Sequence, residues 1–435
     1  MKASCHGSIA WVLFGVGVSV CGAAALNAPP PSTVHRAKAK EPHLTETHST
    51  AAHSVTARSI KTSTAHTPAP RVTPKMTIAQ RAKATAVAGV RVHKTAVAHR
   101  YGERYTAGSF VQSAIGADDI TAGEDPVVRQ AAIDALGDMN GTAVVIDPSS
   151  GRILAMVNQK LALSPGAEPC STIKLTVALA ALSEGLVTRD TPVQLAGFRM
   201  NMTQALAKSN NLYFEELGRE LGFDRVRHYA TQFGLGELAG YHIDGEQLGE
   251  YPDREIPQSE GGVGRMCSFG QGVSLTPLQL GALVAAIANG GTLYYLQHPT
   301  SAEEVAAFEP HVKRTLDIAR YIPDMQDGMA GAVEYGTARS LRANFQALPV
   351  FGKTGTCSNL GAHLGWFGSY SDSPSGPLVT VLFFEGARGF SGPFAAGITG
   401  VFYKNLAEHN YFGNRSYEAS SDAGSTRTTA SGAAQ

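Results

Sequence analysis

Apolar and polar positions divide the 435-residue chain into stretches of different character. From Ile9 to Leu26, eighteen residues run without a charge, after Lys2 and into the small residues Gly22 to Ala25. Such a stretch fits a cleaved signal peptide and also a membrane anchor, since a spanning helix wants roughly 20 apolar residues. Residues 27–107 are rich in Ala, Thr, His and Pro and show no sustained apolar period. They bury too little surface to offset the entropy of ordering and are expected to form a disordered linker.

The text changes from about Glu124. Thr142 to Ile146 and Arg152 to Val157 read as two strands, with the turn residues Asp147-Pro148-Ser149-Ser150-Gly151 between them. Leu175, Ala178, Leu179 and Leu182 recur at spacings of three and four, which predicts the buried face of a helix beginning just after Ser171. Gln204 to Lys208 also reads as helical, and an apolar run precedes Phe351. Alternating helical and strand-like segments continue to about His409, which sets a folded domain over 108–412 and a disordered Ser, Thr, Ala and Gly rich tail over 413–435.

Composition agrees with one substantial core, at 43% hydrophobic and 17% charged residues. The formal net charge of zero conceals two opposed regions. Residues 27–104 hold thirteen Lys and Arg against three Glu, for +10, and with Lys2 counted the remainder from Tyr105 carries −11. The basic stretch suits contact with anionic lipid heads or wall polymers, and its seven histidines at irregular spacing read as a solvated tether rather than a metal site. Cys5, Cys21, Cys170, Cys267 and Cys357 form neither a C-x-x-C pair nor a zinc spacing, so no metal is expected. Cys170 and Cys357 each flank a motif described next; an oxidised pair is conceivable, but the expectation is separate, part-buried small thiols.

Three short motifs carry chemistry. Ser171-Thr172-Ile173-Lys174 puts a hydroxyl and an amine on one side of a helix's first turn, where a lysine of depressed pKa can take the serine proton. Alone, S-x-x-K also fits an ordinary capped helix start. Ser209-Asn210-Asn211 can direct a hydroxyl and an amide to one cleft. In Lys353-Thr354-Gly355-Thr356, a strand would offer a cation and hydroxyls to a carboxylate, with glycine permitting close backbone approach. A nucleotide loop is excluded there, because its first glycine would fall at Ala347 and no helical run follows.

In this order the three motifs resemble those of the transpeptidase domain of penicillin-binding proteins, over roughly residues 125 to 412. Other segments resemble that family as well. Asp147-Pro148 to Met156 looks like its entry hairpin, and Glu168-Pro169-Cys170-Ser171 like its nucleophile approach, with Cys170 where glycine is usual. Phe269-Gly270-Gln271-Gly272, Leu275-Thr276-Pro277-Leu278-Gln279 and Ala288-Asn289-Gly290-Gly291 follow in the expected order, as do Gly336-Thr337-Ala338 and His363 to Phe367.

The resemblance implies an α+β fold, a mainly antiparallel sheet flanked by helices with an adjoining all-helical subdomain and a cleft at their junction. It implies a peptidoglycan D,D-transpeptidase that binds D-Ala-D-Ala stem peptides and β-lactams in the cell envelope, as a stand-alone module on a tether. Ser171 would be acylated with Lys174 as base, Ser209 and Asn211 would assist proton transfer and hold substrate, and Lys353, Thr354, Gly355 and Thr356 would border the substrate carboxylate. The N–H groups of Ser171 and Thr356 would form the oxyanion hole, where such donors are worth about 3 kcal/mol each. No cofactor and no nucleic-acid partner is expected. The interval from Lys174 to Ser209 is shorter than in large members of the family, which implies a trimmed cover over the cleft.

A serine β-lactamase or D,D-carboxypeptidase of the same fold differs only in the fate of the acyl-enzyme, and an idle envelope docking module is the reading from another class. A β-lactamase needs a base for its deacylating water. Glu215 and Glu216 lie near the second motif, but their helical context reads as surface.

Overall fold

The structure, a computed structural model, describes residues 105–413 apart from 360 and 387. The uncharged leader, residues 27–104 of the basic stretch and the tail from 414 lie outside the described residues. Among the described residues no helix is long and apolar enough to cross a membrane.

A five-stranded antiparallel sheet forms the centre. Its strands are β1 (Gly141–Asp147), β2 (Arg152–Val157), β3 (Val350–Asn359), β4 (Ala362–Ser371) and β5 (Leu378–Gly386), in the order β2-β1-β5-β4-β3. Successive side chains on a strand point to opposite faces. Val144, Ile146, Val379, Val381 and Phe383 therefore enter one core, while Ala143, Val145, Leu378, Leu382 and Phe384 enter another. Because both faces are covered, these strands read as continuous apolar runs rather than alternating ones. The expected hairpin is β1 and β2, and Asp147 closes its turn by accepting the Ser149 N–H at 2.9 Å.

The longer helices among the described residues are α1 (Pro126–Leu136), α2 (Lys174–Ser183), α3 (Met202–Lys208), α4 (Asn211–Leu221), α5 (Phe223–Gln232), α6 (Gly262–Phe269), α7 (Pro277–Ala288), α8 (Ile322–Glu334) and α9 (Gly392–Glu408). Helices α1 and α9 cover one face of the sheet and α7 covers the other. A reciprocal cap starts α7: Thr276 Oγ1 accepts the Gln279 N–H at 3.1 Å and Gln279 Oε1 accepts the Thr276 N–H at 3.0 Å. Helices α2 to α6 make the helical part beside the sheet, and α8 packs on both α3 and β3.

Helix α2 departs from the expected single buried face, since Lys174 through Leu182 are all buried. It lies inside the helical part, and Ala178, Ala180 and Ala181 are small enough for neighbours to close around it. Residues 105–123, which carry no apolar period, pack on the domain through polar and aromatic anchors. Tyr105 meets Phe390 edge-on at 5.9 Å, Asn140 N–H donates to the Ser109 carbonyl at 2.7 Å, and Asp119 accepts from Asn158 and Gln159 N–H. Arg129 of α1 pairs with Asp119 at 2.9 Å and Glu124 at 2.8 Å, and all three are nearly buried.

Candidate active site

A 3₁₀ turn, Cys170–Ile173, leads directly into α2, so Ser171 and Lys174 project into the same space one turn apart. Lys174 is fully buried. Its Nζ lies 2.6 Å from Ser171 Oγ, 2.8 Å from Asn211 Oδ1 and 2.6 Å from the Ser268 carbonyl oxygen. Two of these partners, the amide oxygen and the carbonyl, only accept; the third is a hydroxyl that also donates. The set accepts the three N–H groups of an ammonium, and it equally suits a neutral amine that gives two N–H groups to the pure acceptors and its lone pair to the serine proton. Burial holds the Lys174 amine well below the ordinary lysine range, the nearby charge of Lys353 lowers it further, and Glu215 opposes them.

The second motif is a joint between two helices. Helix α3 ends at Ser209, which takes the left-handed conformation (φ 53°), and Asn210 caps α4 by accepting the Tyr213 N–H at 3.0 Å. Asn211 is thereby the first residue of α4, with its amide on Lys174. Ser209 Oγ accepts from Lys353 Nζ at 2.8 Å. Lys353 on β3 is also fully buried, its Nζ reaches the Thr354 carbonyl at 2.9 Å, and burial pushes its ammonium down to about 7.

The remaining residues of the third motif divide by environment. Thr354 is buried, and its Oγ1 shares a 2.6 Å hydrogen bond with Thr337 Oγ1. Thr356 is exposed, and its Oγ1 accepts the Gly392 N–H at the start of α9 at 2.7 Å, which leaves its own O–H free to donate. Gly355 is where β3 meets the Cys170–Ile173 turn: a Cβ there would lie 2.8 Å from the Pro169 carbonyl oxygen. The three motifs thus meet in pairs: Lys174 touches Ser171 and Asn211, Lys353 touches Ser209, and Gly355 lies against the turn that carries Ser171.

Two expectations are corrected. Cys170 and Cys357 are not separate thiols; they form a disulfide with Cα atoms 5.6 Å apart, leaving Cys267 as the free cysteine among the described residues. Their 187-residue separation conceals a proximity that only the docking of β3 on the turn creates. Glu215 is not a plain surface residue. It is partly buried, accepts from Ser268 Oγ at 3.4 Å and pairs with Arg219 at 3.0 Å. Pattern reading also missed the Ser268 carbonyl, Thr337 as partner of Thr354, and Trp366 Nε1, which donates to the Glu168 carbonyl at 3.1 Å. Ser268 directly precedes the Phe269-Gly270-Gln271-Gly272 segment, which was the available signal for it.

Comparison with known proteins fits this geometry. A family model described as the penicillin binding protein transpeptidase domain matches residues 141–388. The chain belongs to that family. Stage V sporulation protein D of Bacillus subtilis is 28% identical over 311 residues, covering 59% of this chain and 47% of the relative. Peptidoglycan D,D-transpeptidase MrdA of Escherichia coli is 26% identical over 262 residues, covering 53% and 40%. The chain therefore spans about half the length of the curated relatives it matches. The transpeptidase domain of Burkholderia pseudomallei penicillin-binding protein 3 shares the fold, with a TM-score of 0.57 at 21% identity over 69% of this chain and 99% of that one. The α+β architecture expected from the motifs is the one observed.

Proposed function

We propose that this penicillin-binding transpeptidase domain is a peptidoglycan D,D-transpeptidase working through an acyl-serine intermediate on D-Ala-D-Ala stem peptides, and that β-lactams acylate the same serine. The observation that carries this reading is the environment of Lys174, whose buried amine sits 2.6 Å from Ser171 Oγ among partners that suit its neutral form. Neutral Lys174 takes the Ser171 proton as Oγ attacks the carbonyl carbon of the penultimate D-alanine. The oxyanion so formed is held by the N–H groups of Ser171 and Thr356. The substrate carboxylate lies against Lys353, Thr354 and Thr356, with Gly355 keeping β3 close.

Collapse of the tetrahedral intermediate breaks the peptide bond. Lys174 hands its proton to the departing D-alanine nitrogen with Ser209 as relay, so the amine leaves neutral and the acyl group stays on Ser171. The amine of a neighbouring stem peptide then attacks the ester and gives its proton to Lys174, which passes it to Ser171 Oγ as the Oγ–carbonyl bond breaks, freeing the cross-linked product and restoring the Ser171 hydroxyl and neutral Lys174. Asn211 orients Lys174 and the substrate amide. Such a substrate lies outside the cytoplasm, which fits an uncharged leader at Ile9–Leu26 and a basic tether that holds the domain near the membrane or wall.

The test is labelling of the full chain and of Ser171→Ala with a fluorescent penicillin, followed over time. Stable label on the wild type alone supports the proposal, and cross-linking of stem peptides by the same protein completes it. Rapid loss of label with drug turnover makes it a β-lactamase, release of D-alanine to water alone makes it a carboxypeptidase, and no label on folded wild type leaves a docking module.

A further inference from the structure

The disulfide stands at an unusual place. Cys170 immediately precedes Ser171 and Cys357 immediately follows Thr356, so the bond joins the two segments one residue away from each donor of the oxyanion hole. Those segments are a 3₁₀ turn and an edge strand that share no backbone ladder. Gly355 of the edge strand lies so close to the turn that a Cβ would meet the Pro169 carbonyl oxygen at 2.8 Å and Thr172 Cγ2 at 3.1 Å, and from the neighbouring strand β4 the Trp366 indole donates to the Glu168 carbonyl. Cys170 itself has φ 51°, a conformation that L side chains adopt at a cost and that glycine takes freely. A side chain kept there against that cost needs a use, and the bond to Cys357 is the use the structure offers.

We propose that Cys170 and Cys357 are positioning residues for acyl transfer: their disulfide fixes the spacing between the N–H groups of Ser171 and Thr356, and its reduction slows acylation. The proposal rests on the acyl-serine reading above. An oxyanion hole works only if both donors are in place before charge develops, because any energy spent bringing them together is subtracted from the stabilisation they give. Misplacement of about 1 Å in such a site costs up to roughly a hundredfold in rate. With the bond intact, β3 and the turn move as one body. With it broken, the strand edge beyond Gly355 is held to the turn by side-chain contacts alone.

Reduction is by a dithiol. One thiolate attacks the sulfur of Cys357, the less buried residue of the pair, and displaces the Cys170 thiolate, and the second dithiol sulfur then closes on the first, releasing Cys357. The two protons of the dithiol end on the two protein thiols, and the reductant leaves as its cyclic disulfide. Cys170 is fully buried, which directs the first attack to Cys357.

The experiment uses the full chain, oxidised or reduced with dithiothreitol and desalted without air, together with Cys357→Ser in both conditions. Acylation by a fluorescent penicillin is followed over drug concentration, which separates the apparent binding constant from the maximal acylation rate. Far-UV circular dichroism and the thermal midpoint are read on the same samples, and rates are compared well below the lowest midpoint.

The expected result is a maximal rate at least tenfold lower in the reduced wild type, with the binding constant unchanged, reversed on reoxidation. Cys357→Ser matches the reduced protein and ignores dithiothreitol. Should the variant not fold, the reversible change in the wild type decides alone. Equal maximal rates in both redox states of a folded wild type, or a change in binding alone, would overturn the proposal while leaving the acyl-serine reading intact. Failure of the oxidised protein to acylate at all would overturn both.

Discussion

Burying Lys353 has a measurable consequence for stability. Its ammonium is fully buried and titrates at about 7 in the fold against 10.5 when exposed. Between those values the unfolded chain binds a proton that the folded chain does not, so stability rises with pH through this window. Each pH unit there is worth up to about 1.4 kcal/mol. From pH 7, where the buried group is half protonated, to pH 9, the gain from Lys353 is about 2 kcal/mol. Lys353→Met removes it. The substitution also leaves Ser209 Oγ and the Thr354 carbonyl without their 2.8 and 2.9 Å partner, a cost of about 1–3 kcal/mol that does not change with pH.

The assay is urea unfolding of wild type and variant at pH 7 and pH 9 and equal ionic strength. Groups other than Lys174 titrate alike in both proteins and cancel in the difference. Wild type should gain about 2 kcal/mol on the variant between the two pH values. Lys174 is buried beside Lys353 and titrates with it, so the slope belongs to the pair, and Lys174→Met under the same conditions divides it. A stability gap that is the same at both pH values, or that moves toward the variant as pH rises, would refute this account of the two lysines.

Three further outcomes follow from the geometry. Glu215→Gln removes the charge that raises the Lys174 pKa, so the acidic limb of the acylation rate should move to lower pH; a move to higher pH would contradict the arrangement. Gly355→Ala places a Cβ 2.8 Å from the Pro169 carbonyl oxygen, which forces the strand and the turn apart; labelling by fluorescent penicillin should slow by about tenfold or more, with a stability loss of about 1–3 kcal/mol in urea unfolding, and an unchanged labelling rate would contradict the close approach. Arg129→Met leaves the buried carboxylates of Asp119 and Glu124 without their cation and should cost about 3–5 kcal/mol in urea unfolding, with a loss under about 1 kcal/mol as the contrary result.

The sequence by itself determined the elements whose signals are local: the β1–β2 hairpin with its turn residues, the helix that follows Ser171, and the order of three motifs that assigned the family. Each depends on residues a few positions apart, where sterics and hydrogen bonding act without help from the rest of the chain. Tertiary structure decided everything that depends on distant segments meeting. Lys174 reads in sequence as the partner of Ser171 alone; its burial among Asn211, Ser268 and Lys353, which sets its protonation, exists only once α2, α4, α6 and β3 have packed. Cys170 and Cys357 read as unrelated thiols, because pairing across 187 residues is a property of the docked strand and not of either neighbourhood. Residues 105–123 are attached by aromatic and polar anchors rather than by an apolar face, and Asp119 and Glu124 meet Arg129 in a nearly buried cluster that only folding assembles.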